Sequence, residues 1–241
     1  SGDRERLTAI ARTIERGEVE TSYQPVVDMR NGTILGWEAL ARFPRLPYST
    51  TDVFEAVQGT ELEVDLEVLC LRKAVEVGEQ VGEGRYLSIN LSPAAVTSTK
   101  VADALRSFCH LHEHLVIEIT ERTAVENYLP LYRPLHELRQ QLVSVAIDDV
   151  GAGYASLWHI TQLLPDIIKI DRALISGIDQ SPMKRAIVTA LLSLARELRC
   201  VVVAEGVEQQ QEADWLVGLG TRFGQGFHFA EPRRWLGSNG A

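Results

Sequence analysis

Cysteine is scarce. Cys70, Cys109 and Cys200 lie far apart in a chain of 241 residues. An odd, scattered set of three supports neither a disulfide framework nor a zinc cluster, and predicts structural thiols in a reducing compartment. Long apolar runs are missing too: none approaches the ~18 residues of a membrane span, and no signal peptide is visible. Positive charge is in deficit. The 24 Lys and Arg stand against 33 Asp and Glu, a net charge of −9, which excludes a general grip on DNA or RNA through a basic surface. An acidic chain can still bind a phosphorylated ligand where metal ions and a few cations focus positive charge. Linkers and low-complexity tracts are absent as well. What is present is 45% hydrophobic residues, ample for one core, in a length that suits an α/β barrel or two small domains. The expectation is a single cytoplasmic domain over residues 1–241 without membrane contact, with Ser1-Gly2 having the character of a cloning remnant.

Read in order, residues 4–16 carry Leu7, Ile10, Ala11 and Ile14 at helical spacing before Gly17. Two strand-like runs follow, residues 23–28 and 34–42, with Asn31-Gly32 between them. Asn-Gly is a strong hairpin signal because a type I′ turn needs positive φ at both central residues, so these strands are expected to be antiparallel. Residues 43–61, with Pro44 and Pro47, read as an irregular loop with at most a short helix. A helix is predicted over 62–81. Strands at 86–90, 115–121, 143–149, 167–171, 201–205 and 223–229 then alternate with helices at 101–110, 129–142, 157–163 and 209–219. Another helix follows Ser181-Pro182, with Ile187, Ala190, Leu191 and Leu194 on one face. Eight strands, mostly β-branched runs, with helices between most of them, predict a mostly parallel, closed α/β barrel.

The centre of the chain is Val145-Ala146-Ile147-Asp148-Asp149, followed by Val150 and the glycine-spaced loop Gly151-Ala152-Gly153. Two adjacent ionised carboxylates repel each other unless a cation neutralises them. Alone, the pair reads as a solvated acidic turn. The pattern repeats, however. Glu38, Asn90, Glu118, Asp148 with Asp149, Lys169, Glu205 and Gln225 each end or follow an apolar strand run. That end of the strands is where a barrel places its chemistry. Five carboxylates and one lysine cannot share a cavity unaided. Hard divalent cations, Mg²⁺ or Mn²⁺, resolve the conflict because they prefer oxygen ligands and keep water and substrate phosphate in their shells. One shared Asp with flanking carboxylates suits a two-metal phosphodiester site, with the ions ~3.5–4 Å apart. His110, His112 and His114 precede a strand, so they lie at the opposite end and read as a solvated loop. Trp37, Trp215 and Trp235 read as packing residues.

These residues resemble a known family, the EAL domains. The likeness rests on Tyr23-Gln24-Pro25, Glu38-Ala39-Leu40 with Arg42, Asn90-Leu91-Ser92, Glu118-Ile119-Thr120-Glu121 and Asp148-Asp149. It continues through Lys169-Ile170-Asp171, Glu205-Gly206-Val207-Glu208 and Gln225-Gly226-Phe227 to Pro232, and so runs from residue 23 to residue 232. The resemblance implies a modified (β/α)8 TIM-like barrel with one antiparallel strand. It also implies hydrolysis of cyclic di-GMP to linear pGpG with two divalent cations, Mg²⁺ or Mn²⁺. By resemblance, Glu38, Asn90, Glu118 and Asp148 hold one cation, and Asp148, Asp149 and Glu205 hold the second. Lys169 orients the attacking water. Glu121 braces the loop after Asp149, and Gln24, Leu40, Arg42, Asp171, Glu208 and Gln225 contact substrate or shape the site. A homodimer through the 148–154 loop and a regulatory domain upstream belong to the same expectation. The competing reading is a catalytically silent receptor for the dinucleotide, or a protein-interaction module. Such members lose a metal ligand or the lysine, and all are present here. Two departures stand out: Val150 replaces the family's usual Phe, and the segment after Arg42, where the family carries a helix beside the substrate, is shorter.

Overall fold

A computed structural model describes residues 2–76, 84–119, 127–151 and 157–235. An N-terminal helix α1 (Gly2–Arg16) leads into the antiparallel hairpin of β1 (Glu20–Asp28) and β2 (Ile34–Arg42). The hairpin forms as expected, with a different turn. Five residues separate the strands, Gly32 alone of the Asn-Gly pair has positive φ (+72°), and the amides of Asn31 and Gly32 both donate to the Asp28 carbonyl. The buried Asp28 carboxylate accepts from Arg30 at 2.9 Å and from Arg222 at 2.7 Å. These charge-assisted bonds fix the longer loop and hold that carboxyl well below its usual value.

Helices α2 (Thr50–Val57) and α3 (Leu62–Val75) follow β2. Residues 43–61 therefore contain a two-turn helix, closed by a reciprocal capping box between Ser49 and Asp52. It packs with α1 around Ile10, Phe43, Val53, Val57 and Leu66, a satellite cluster beside the main core. The alternating part of the chain then runs β3 (Tyr86–Leu91), α4 (Pro93–Val96), α5 (Thr99–Ser107), β4 (Leu115–Ile119), α6 (Leu129–Gln140), β5 (Ser144–Val150), α7 (Leu157–Leu163), β6 (Ile167–Ile170), α8 (Arg172–Ile175), α9 (Pro182–Leu198), β7 (Val201–Ala204), α10 (Gln210–Leu219), β8 (Phe223–Gly224) and β9 (Arg233–Arg234). The 3₁₀ turn Cys109–His114 precedes β4.

Strands β2 to β8 pair in chain order, all parallel, and β1 closes the ring by pairing antiparallel with both β8 and β2. The barrel is thus a modified (β/α)8 with one antiparallel strand. Two expectations are corrected and one strand is new. The last barrel strand is two residues long, not seven. After Gln225 the chain turns sharply, with the amides of Phe229 and Ala230 donating to the Gly226 carbonyl. The short β9, which pairs with Ser22 and Tyr23 of β1, carries no sequence signal. Finally, the inward face of α9 is Val188, Leu191, Leu192 and Ala195, rotated from the expected stripe, with Ile187 exposed. Cys70, Cys109 and Cys200 are free thiols. No helix among the described residues is long and apolar enough to cross a membrane.

Candidate metal centre and cleft

Strand parity builds the site. Gln24 stands opposite Glu38, Glu38 opposite Ser88, and Asn90 opposite Glu118. Side chains two apart on a strand share a face, so Gln24, Glu38, Asn90 and Glu118 point the same way. Ile147 pairs with Ile168, and Ala204 with Gly224. Their neighbours Asp148, Lys169, Glu205 and Gln225 therefore join that face at the C-terminal ends of the parallel strands. Asp149 would point away in a regular strand. Its left-handed φ of +54° and the register break between Ile147 and Val150 turn it back. Its carboxylate oxygen lies within 4.8 Å of those of Asp148 and Glu205. A non-glycine residue in that region costs ~1–2 kcal/mol, strain of a kind that collects at functional sites. Val150 fills its place as a buried residue paired with Ile170.

Lys169 is the hub. Only 2% exposed, its Nζ lies 2.6 Å from Glu118 Oε2, 2.6 Å from Glu205 Oε1, 3.3 Å from Glu38 Oε2 and 3.4 Å from Asp148 Oδ1. Burial works against its proton, yet Asp148, Glu118, Glu205 and Glu38 together raise its pKa well above that of an ordinary lysine. One ammonium cannot neutralise four carboxylates, and the acids divide accordingly. Burial raises Glu118, Lys169 lowers it, and Glu38 and Asp148 push it up again, to about 8. Burial and then Asp148 carry Glu205 well above its usual value against the pull of Lys169. Glu38 behaves differently. Burial opposes its charge, but Lys169 and hydrogen bonds from Gln225 and Asn90 bring it below the ordinary carboxylate value.

The donor set fits divalent cations. Asn90 Nδ2 donates to Glu38 Oε1 at 2.9 Å, which leaves Asn90 Oδ1 buried without a partner. Asp148 Oδ1 likewise accepts no hydrogen bond. Buried oxygen acceptors beside surplus carboxylate charge are what a hard cation satisfies. Asp148, Asp149 and Glu205 form the one ligand-like group of three found among the described residues. The histidines near residue 112 do not converge, and His112 is buried with Nε2 donating to the Leu105 carbonyl at 2.9 Å, a correction to the solvated loop expected there. Trp37 and Trp235 pack as expected, Trp235 meeting Tyr23 and Trp37 edge to face, whereas Trp215 is 43% exposed beneath the Arg185 guanidinium, a correction to the packing role expected of it.

The centre opens into a cleft of about 810 Å³. Leu40 and Arg42 continue the Glu38 face along β2 into it, and α2 forms part of its wall through Thr50 and Phe54, with Gln58 just past its end. The shortened segment after Arg42 thus still supplies a helix beside the cleft. Asp171 and Glu208 line the cleft and also have local partners. Asp171 Oδ1 accepts from Ala173 N at 2.8 Å as the cap of α8, and Glu208 pairs with Arg172 at 2.8 Å. Gln24 and Gln225 face each other across 3.0 Å. Glu121 and residues 152–154 of the expected dimer loop lie outside the described residues. Two cleft residues escape sequence reasoning. Phe227 is a 60% exposed aromatic at the rim, and Glu67 is a buried α3 carboxylate accepting from Ser92 N at 2.7 Å. The available signal for Glu67 is its i, i+4, i+7 alignment with Leu71 and Ala74.

Comparison with known proteins agrees with this geometry. The EAL domain profile matches residues 7–232. A probable cyclic di-GMP phosphodiesterase of Escherichia coli, PdeG, is 32% identical over 234 residues, covering 92% of this chain and 46% of that protein. The chain thus spans about half the length of that relative. Among solved structures, the complex of the PaMucR phosphodiesterase with c-di-GMP superposes with a TM-score of 0.83 at 29% identity, covering 95% of this chain and 98% of that one; the MucR sequence is from Pseudomonas aeruginosa. BlrP1 of Klebsiella pneumoniae, in a calcium and cyclic di-GMP complex, superposes with a TM-score of 0.80 at 30% identity, covering 90% of this chain and 56% of that one; a manganese complex is also known. With the profile covering nearly its whole length and the barrel and acidic centre in place, this chain belongs to the EAL domain family.

Proposed function

We propose that this chain hydrolyses one phosphodiester bond of cyclic di-GMP, giving linear pGpG, with two divalent cations, Mg²⁺ or Mn²⁺. The observation that carries the reading is the imbalance at the centre: four carboxylates around one buried ammonium, with Asn90 Oδ1 buried without a partner and Asp148 Oδ1 met only by the ammonium at 3.4 Å. Glu38, Asn90, Glu118 and Asp148 would hold one cation, and Asp148, Asp149 and Glu205 the other. When bound, such ions polarise the phosphate and acidify a water.

The rest falls to the chain's own residues. Water adds to phosphorus, the P–O3′ bond breaks, and the 3′ oxygen leaves to become a hydroxyl. Lys169 Nζ holds a proton beside Glu118 and Glu205. There it orients the water and offsets charge developing on the phosphate. Arg42 on the cleft face of β2 is the phosphate contact, since its planar fork matches phosphate oxygens. Leu40, Asp171 and Glu208 shape the cleft around the remainder of the dinucleotide, and Glu121 braces the loop after Asp149. The free thiols accord with a cytoplasmic setting. A homodimer and an upstream regulatory domain are part of the same reading. Incubation with cyclic di-GMP and Mg²⁺ or Mn²⁺, with chromatography of the products, tests it. The expected product is pGpG, abolished by chelator and in Glu38→Ala. Intact substrate together with tight dinucleotide binding would instead establish the silent receptor.

A further inference from the structure

Gln24 and Gln225 form a directed chain of hydrogen bonds that ends on Glu38. Gln24 Nε2 donates to the backbone carbonyl of Ala230 at 3.0 Å. A backbone carbonyl only accepts, so this bond fixes which way the Gln24 amide faces. Gln24 Oε1 therefore points at Gln225 and accepts from its Nε2 at 3.0 Å. The second hydrogen on the same Nε2 goes to Glu38 Oε2 at 2.5 Å. Turning the Gln225 amide over would set its oxygen against two other acceptors. The three side chains are all buried, at 8%, 4% and 6% exposure for Gln24, Gln225 and Glu38. The other oxygen of Glu38 accepts from Asn90 Nδ2 at 2.9 Å. Glu38 is thus held between two amides, each presenting its nitrogen to the carboxylate and keeping a buried, unpartnered carbonyl oxygen.

We propose that Gln225, anchored through Gln24 on the Ala230 carbonyl, is a positioning residue that sets the rotamer of Glu38 for cation binding and does not serve primarily as a substrate contact. The turn at residues 226–230 supplies the rigid end of the relay: the Phe229 and Ala230 amides both return to the Gly226 carbonyl. Outer hydrogen bonds to a ligating carboxylate typically change metal affinity ~10–100-fold. This inference rests on the reading of Glu38 as a cation ligand.

The test is calorimetric titration of chelator-stripped protein with Mn²⁺ for the wild type, Gln225→Met and Gln24→Met. Both variants are expected to bind Mn²⁺ at least ~10-fold more weakly, with the Gln24 variant acting although Gln225 is still present. A merely structural role would lower the melting temperature of the cation-free protein and leave the affinity of the folded protein unchanged. Wild-type affinity in both variants overturns the proposal. One measurement needs no variant: in ¹⁵N NMR of the wild type, the Gln225 side-chain amide is expected to show two well-separated, exchange-protected protons. Degenerate, fast-exchanging protons would overturn the relay even if a variant failed to fold. A wild type that takes up no Mn²⁺ would remove the cation reading itself, and the amide spectrum would still decide whether the relay exists.

Discussion

Replacing Lys169 with Met removes the ammonium at the centre of four carboxylates while roughly preserving its volume. The ammonium sits 2.6–3.4 Å from its partners and is 2% exposed, so solvent screens little of the interaction. Removing one member of a buried ion cluster leaves its partners uncompensated, a loss of about 3–5 kcal/mol. For a chain of this size each kcal/mol moves the melting temperature ~2–4 °C, so the variant in chelator should melt roughly 6–20 °C lower at pH 8. The deficit has a direction in pH. At lower pH the stranded acids take up protons and the repulsion fades, so the gap to wild type narrows toward pH 6. Mn²⁺ takes over the neutralising role. A ligand at 100 times its Kd adds about 2.7 kcal/mol, and the variant should recover at least this much. Activity should not recover, because the proton at Nζ is gone; a loss of ~10²–10³ in kcat is expected. Thermal unfolding with chelator and with Mn²⁺, at both pH values, is the assay. A variant as stable as wild type in chelator at pH 8 would refute the assignment of Lys169 as the charge hub.

The cation-free wild type should itself lose stability as pH rises from about 5 to 8. The folded-state values of Glu118 (about 8) and Glu205 lie above the ordinary carboxylate value, so folding takes up protons in this window. Lys169 is charged throughout it, and the contribution of Glu38 is lost only below the ordinary carboxylate value. A melting temperature that climbs over this range in chelator would contradict the charge imbalance. Arg42→Ala should raise KM ~10- to 100-fold, the loss of a charge-assisted contact, with kcat largely retained; initial-rate kinetics decide, and an unchanged KM removes Arg42 from the phosphate site. Gly226→Ala would place a Cβ 2.1 Å from the Val207 carbonyl oxygen at a φ of +153°. It should lower stability by roughly 3 kcal/mol in urea titration, and an unchanged midpoint would mean that the tight turn after Gln225 is misread.

Periodicity made the barrel legible. Runs rich in Val and Ile at 115–119, 144–150, 167–170 and 201–204 each became a parallel strand, and Asn31-Gly32 gave the antiparallel entry. Turn geometry was not legible, because salt bridges from Arg30 and Arg222, residues 194 positions apart in one case, chose a longer loop over a type I′ turn. The extended reading of residues 223–229 failed for a similar reason. Phe227 and Phe229 look strand-like, but the contact of Gly226 with Val207 comes from a different loop. At the centre, the strand-end carboxylates were legible individually because a charge in an apolar run is costly. The backward turn of Asp149 was not, since a left-handed φ at a non-glycine residue depends on tertiary support. Nor was the pairing of Gln24 with Gln225, which joins the antiparallel strand to the last one across 201 residues of sequence.

The most direct test of the central claim is a single-turnover reaction in H₂¹⁸O. Chelator-stripped protein in excess over cyclic di-GMP is started with Mn²⁺, and the products are resolved by mass spectrometry. Water attack on one phosphodiester bond is expected to give pGpG carrying one ¹⁸O on its 5′ phosphate, with no product before the cation is added. Intact cyclic di-GMP at every Mn²⁺ concentration would contradict it and leave the acidic centre as a binding site alone.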